Sequence, residues 1–330
     1  MNRLLLILHF PRILILKRGI KFPVFLFLLL TLPAFSLQAQ DKSKEEQLSD
    51  ALNNRDLKKA LLIAPNVDSV NYIDKSERSL LVHASVLNYT EICKILLDKG
   101  AQVDLQMKIG TTALMYACLN GWLDVIKLLL ERGANIDLRS DNGSTALILA
   151  SDAGQVEAVQ FLIGKGASLD LKTLSGNTAL MVACQHGFAD IARTLLEKGA
   201  KLEQQTPDGM NALMWASRQG NPEVLNLLID RGAKINQAGG SEGITALMQA
   251  SRTGLVNIVK LLVERGAEVN YQNPDGTTAM MLAASNGQAA VVKLLIEKGA
   301  NTSLIDKWGK NAYAHATTHE IRYIIRIGTK

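Results

Sequence analysis

Residues 110–142 read GTTALMYACLNGWLDVIKLLLERGANIDLRSDN, and this stretch decides the fold. Thr112 is placed to cap a helix, its hydroxyl accepting from an orphan amide of the first turn. Ala113, Leu114, Ala117 and Cys118 follow at helical spacing, which gives one small, apolar face. Gly121 stops that helix, because glycine enters the left-handed region without steric cost. A second helix carries Leu123, Ile126, Leu129 and Leu130 on its inner side and ends at Gly133. Ala134 to Asn142 form a turn-rich arm. Helices this short are marginal in water, so each pair needs a like neighbour on either side.

The neighbours exist. Gly110 recurs as Gly143, Gly176, Gly209, Gly243, Gly276 and Gly309, at spacings of 33, 33, 33, 34, 33 and 33 residues. The cap recurs as Thr145, Thr178, Asn211, Thr245, Thr278 and Asn311, with Ser79 upstream. The second stop recurs as Gly100, Gly133, Gly166, Gly199, Gly232, Gly266 and Gly299, each followed by Ala. A fixed period of this length with two helices and a turn is the signature of a stacked array.

The G-x-T-A-L-M-x-A blocks, the L-L-x-x-G-A blocks and the closing Asp104, Asp137, Asp170, Asn236 and Asn270 resemble the ankyrin repeat family over roughly residues 46–326. The resemblance implies an all-α solenoid with β-hairpin or loop arms, of about eight to nine repeats including degenerate ends. The units are 78–109, 110–142, 143–175, 176–208, 209–242, 243–275 and 276–308, between a degenerate cap at 47–77 and a closing cap at 309–330. Residues 40–46 read as a flexible lead-in. Gly239-Gly240, at the one-residue insertion, predicts a longer, mobile arm tip. Two departures from the family pattern stand out. Its Pro after the cap is Ala here, as at Ala113 and Ala179, and Ala is the better helix former. Its His two residues on is Met115, Met181, Met214, Met248 and Met281, or Ile148, so a thioether stripe replaces a polar network.

Residues 1–39 have another character. Arg3, Arg12, Lys17, Arg18 and Lys21 precede or flank an apolar run, Val24–Leu32, and no acidic residue occurs. A basic segment, a short apolar run and a small residue at Ala39 predict a cleaved secretory signal peptide. The alternative is an uncleaved N-terminal anchor. The chain has 36 basic and 31 acidic residues, and loss of the leader leaves 31 of each. The basic excess is therefore no argument for nucleic-acid binding.

Cys118 and Cys184 hold the same repeat position two units apart, too far to bridge, and Cys93 falls on a buried position of a second helix. No catalytic constellation or phosphate loop is present, and no cofactor is expected. His315 and His319, four apart with Glu320 beside them, would share a face of one closing helix. They are a candidate metal pair but lack the Glu that follows the first His of a metalloprotease motif.

In ankyrin-like proteins the arm tips and the inner side of the first helix form a concave groove for partners. The matching positions here include Lys108, Ile109, Thr111 and Leu119, then Asp141, Asn142 and Asp152, then Leu174, Asn177 and His186. Asp208, Met210 and Arg218 follow, then Glu242, Ile244 and Arg252. Large apolar groups beside arginines are typical of interface centres, which singles out Met210, Trp215, Arg218, Ile244, Gln249 and Arg252, with Tyr116 at the repeat position of Trp215. Tyr116 and Trp215 equally suit the seam between units. The sequence predicts a non-catalytic, monomeric scaffold that binds an unidentified protein partner outside the cytoplasm, in the periplasm or secreted. The alternatives are a scaffold tethered to a membrane by its leader and, below that, a metal protein or enzyme using the His pair.

Overall fold

A computed structural model describes residues 42–328. The predicted leader lies outside them. The chain divides at Lys42/Ser43, and every described helix belongs to the second unit.

Among the described residues the helices fall into nine pairs. The first three are α1 (Lys44–Asn53) with α2 (Leu57–Ile63), α3 (Leu80–Val86) with α4 (Thr90–Asp98), and α5 (Ala113–Asn120) with α6 (Leu123–Glu131). Next come α7 (Ala146–Asp152) with α8 (Val156–Gly164), α9 (Ala179–His186) with α10 (Ala189–Glu197), and α11 (Ala212–Gln219) with α12 (Pro222–Asp230). The last are α13 (Ala246–Thr253) with α14 (Val256–Glu264), α15 (Ala279–Ser285) with α16 (Ala289–Glu297), and α17 (Ala312–His315) with α18 (His319–Gly328). First helices pack in one row, α3 on α5, α5 on α7 and onward to α17, and second helices in a parallel row.

The caps are those the period predicts. Thr112, Thr145, Thr178, Asn211, Thr245 and Thr278 each accept from the amide three residues on. Ser79 and Asn311 do the same for α3 and α17. The inner face of α6 differs slightly from expectation: Val125, Ile126 and Leu129 are fully buried, while Leu123 and Leu130 are half-buried at its edges. Met115, Ile148, Met181, Met214, Met248 and Met281 are all buried, so the thioether stripe fills the seam between successive first helices. The three cysteines are buried and free, and burial pushes the Cys93 thiol up to about 12.

Of the two arm forms expected, hairpin or loop, the loop is the one found; among the described residues only isolated bridges occur, at Ile73–Ser79 and Gly239–Ile244. Most tips close on themselves within four residues, as where the Ser140 amide donates to the Ser144 carbonyl at 3.0 Å, and in the best-matched units the next bond goes to another unit. The Asp141 amide donates to the Ile109 carbonyl and that of Leu174 to the Asn142 carbonyl, so no strand pair develops. Two expectations need correction. The lead-in is not open to residue 46, because α1 starts at Lys44 with Ser43 as its cap. Glu45 is buried there and accepts from the amides of Ser69 and Asp68, which hold its carboxyl down at about 2. Finally, His315 and His319 do not share a helix. Ala316 leaves the helical region between α17 and α18.

Two ladders of polar bonds run from unit to unit. In one, Asn71, Asp104, Asp137, Asp170, Glu203, Asn236 and Asn270 accept from backbone amides of the next unit. In the other, Gln106, Arg139, Lys172, Gln205 and Gln272 donate to backbone carbonyls 33 residues on. Ala238 has no donor to continue the second ladder, and the interruption falls at the one-residue insertion.

Candidate binding face

The arm tips and the row of first helices enclose two kinds of surface. The first is apolar. A cavity of about 440 Å³ is lined by Ile109, Thr111, Met115, Tyr116, Leu119 and Leu149, with Ser140, Asp141 and Asn142. A second, of about 370 Å³, is lined by Asn142, Leu149, Asp152, Leu174, Asn177 and Val182, among others. Asn142 and Leu149 belong to both, so the two form one trough across α5, α7 and α9. Ile109 is 58% exposed, Leu119 37% and Leu174 73%. The Thr111 hydroxyl donates to the Tyr116 hydroxyl at 3.3 Å, which fixes the phenol at the trough wall. At the far rim His186 Nε2 lies 3.0 Å from Asp152 Oδ1, and its ring stacks on Phe188.

The second surface is polar. A cavity of about 250 Å³ is lined by Asp208, Met210, Arg218, Glu242, Ile244, Gln249 and Arg252, with backbone of Gly209 and Gly239. A side chain at Gly209 would collide with the Gly240 backbone, so glycine there lets the two arm tips touch.

The residues singled out from sequence thus divide. Met210, Arg218, Ile244, Gln249 and Arg252 come together in the polar cavity. Met210 and Gln249 are only 5% and 4% exposed, so they stand behind the surface and support it, which corrects their reading as contacts. Trp215 is half-buried in the seam with Arg218 over its ring, and its indole N–H has no partner among the described residues. Tyr116 belongs to the apolar trough instead. The clustering of Ile109, Leu119 and Leu174 went unread, although a signal existed. Other units put Asn142, Asp208 and Glu242 at the position of Ile109, and Asp152, Gln185 and Arg218 at that of Leu119.

His315 contacts Asp306 through Nε2–Oδ2 at 2.6 Å. Burial alone would raise the Asp306 carboxyl, but its hydrogen bonds to Lys310, His315 and Trp308 together outweigh that and hold it below the usual carboxylate range. The His315–Asp306 pair closes the last arm onto α17. Among the described residues no cluster of three or more His, Cys, Asp or Glu is arranged to hold a metal.

A family model for ankyrin repeats, three copies long, matches residues 28–140, 80–173, 135–206, 154–239, 201–273 and 247–327. Solved structures similar to the chain include the human ASB11 ankyrin repeat domain, 28% identical with a TM-score of 0.62, over 66% of this chain and 98% of that one. The ankyrin repeat domain of Bcl-3, a member of the IkappaB family, is 29% identical with a TM-score of 0.58, over 66% of this chain and 100% of that one. A comparison with curated proteins finds no match. Ankyrin repeat domains are in general protein–protein interaction scaffolds, typically without catalysis. The overlapping matches, the caps and the stacked helix pairs agree: the chain belongs to the ankyrin repeat family.

Proposed function

We propose that this chain is a non-catalytic scaffold that captures a partner protein on the face of arm tips and first helices, outside the cytoplasm. The observation that carries the reading is the continuous apolar trough bearing exposed Ile109, Leu119 and Leu174. Exposed apolar side chains gathered in one concavity mark interaction surfaces, whereas scattered ones are ordinary. Substituting Leu174→Asp places a charge in that trough without touching the core. Affinity capture from the native host by the unaltered chain should recover a partner that the Leu174→Asp protein, melting at the same temperature, fails to retain. Equal recovery by both proteins overturns the assignment. The basic, then apolar leader supports export, and N-terminal sequencing of the mature protein tests it: a start near Gln40 means release, Met1 means a tether.

A further inference from the structure

The polar cavity has a charge pattern that the apolar trough lacks. Arg218 and Arg252 come from the ends of α11 and α13, Asp208 and Glu242 from the arm tips opposite. The arginines are held from behind. Arg252 Nη2 donates to Gln249 Oε1 at 2.7 Å, and Gln249 Nε2 in turn donates to Met210 Sδ at 3.2 Å. Arg218 lies 5.5 Å from the centre of the Trp215 ring. Among the described residues neither arginine forms an ion pair, and neither do Asp208 and Glu242. Among the described residues the Asp208 carboxylate accepts only the Thr206 hydroxyl. Opposite charges therefore line the two sides of the cavity without closing on one another.

No arginine occupies the same repeat positions at the other end of the face. Where α11 and α13 carry Arg218 and Arg252, α5 carries Leu119, α7 carries Asp152, which is paired with His186, and α9 carries Gln185. Where the later tips carry Asp208 and Glu242, the earlier ones carry Ile109, Asn142 and Ser175. Val182 of α9 lines the trough, and α9 packs directly on α11, so the apolar and charged stretches adjoin.

We propose that the face takes an extended segment of the partner with apolar side chains over α5 to α9 and alternating acidic and basic side chains over α11 and α13. This rests on the binding reading above and adds the partner's chemistry. Successive side chains of an extended chain point to opposite sides. One acid–base neighbour pair thus meets the arginine side and the carboxylate side at once. The arginine fork matches a carboxylate, and the wrong sign on either side is penalised by like-charge repulsion. From α5 to α13 there are four packing steps of about 10 Å each. At about 3.3 Å per residue a dodecamer covers that span.

A random dodecamer library displayed on phage, selected in parallel on the full chain, on its Arg218→Glu/Arg252→Glu variant and on its Leu174→Asp variant, tests this. All three proteins are first shown to melt alike. The unaltered chain should enrich an apolar block followed by alternating acids and bases. In the double variant the ratio of acids to bases in the second half should fall at least about tenfold, equivalent to about 1.4 kcal/mol. Identical charge composition in those two pools overturns the inference while leaving the binding face intact. An apolar block that survives Leu174→Asp, or no enrichment on the unaltered chain, overturns the binding face as well.

Discussion

Arg55 and Asn88 hold φ of 55° and 60° at the position where Gly121, Gly154 and later units place glycine. A residue with a Cβ pays roughly 1–2 kcal/mol to sit in the left-handed region. Arg55 is exposed, and its carbonyl, which takes the Tyr89 hydroxyl, survives any substitution. Arg55→Gly should therefore raise stability, by about 0.5–1 kcal/mol after the added chain entropy of glycine is counted. A higher urea midpoint at unchanged slope is the expected result. At this scale the caps and the methionine stripe were legible because the period repeats them. The burial of Met210 and Gln249 was not. Their repeat positions straddle seam and groove, and in other units hold half-buried residues such as Thr111 and Tyr116.

Each first helix from α3 to α15 depends on its cap, since seven or eight residues supply few bonds of their own. The Thr178 hydroxyl accepts from the Met181 amide at 3.3 Å in a buried setting. Thr178→Val keeps the shape and removes the acceptor, so it should cost about 0.5–2 kcal/mol. Chemical denaturation monitored by circular dichroism measures it; an unchanged midpoint would remove the cap from the account. Helix boundaries were readable from caps and glycines, yet the break between α17 and α18 was not, because no glycine marks it. The two ladders also escaped notice. A carboxylate at Asp137 looks like an ordinary surface residue until the Ser168 amide is found 3.0 Å away, and nothing local announces a partner one unit on.

Among the described residues, units pack mainly on those beside them, and stability of such arrays is a sum of unit and neighbour terms. Excising residues 143–175 as a block should leave a folded protein with the same helicity per residue. Asp137 would then meet the Lys201 amide as it now meets that of Ser168, since the two amides are equivalent. Excising residues 143–164 instead breaks the period and should give a lower, broader thermal transition. The array was plain from the sequence, whereas the trough was not, because its walls come from three units and only stacking brings Ile109, Leu149 and Leu174 into one concavity. In both ladders the side chain belongs to the earlier unit and the backbone group to the later one. A lineage carrying this gene can thus lengthen or shorten the protein by tandem duplication or loss of one whole period, and inherit each new junction ready-made.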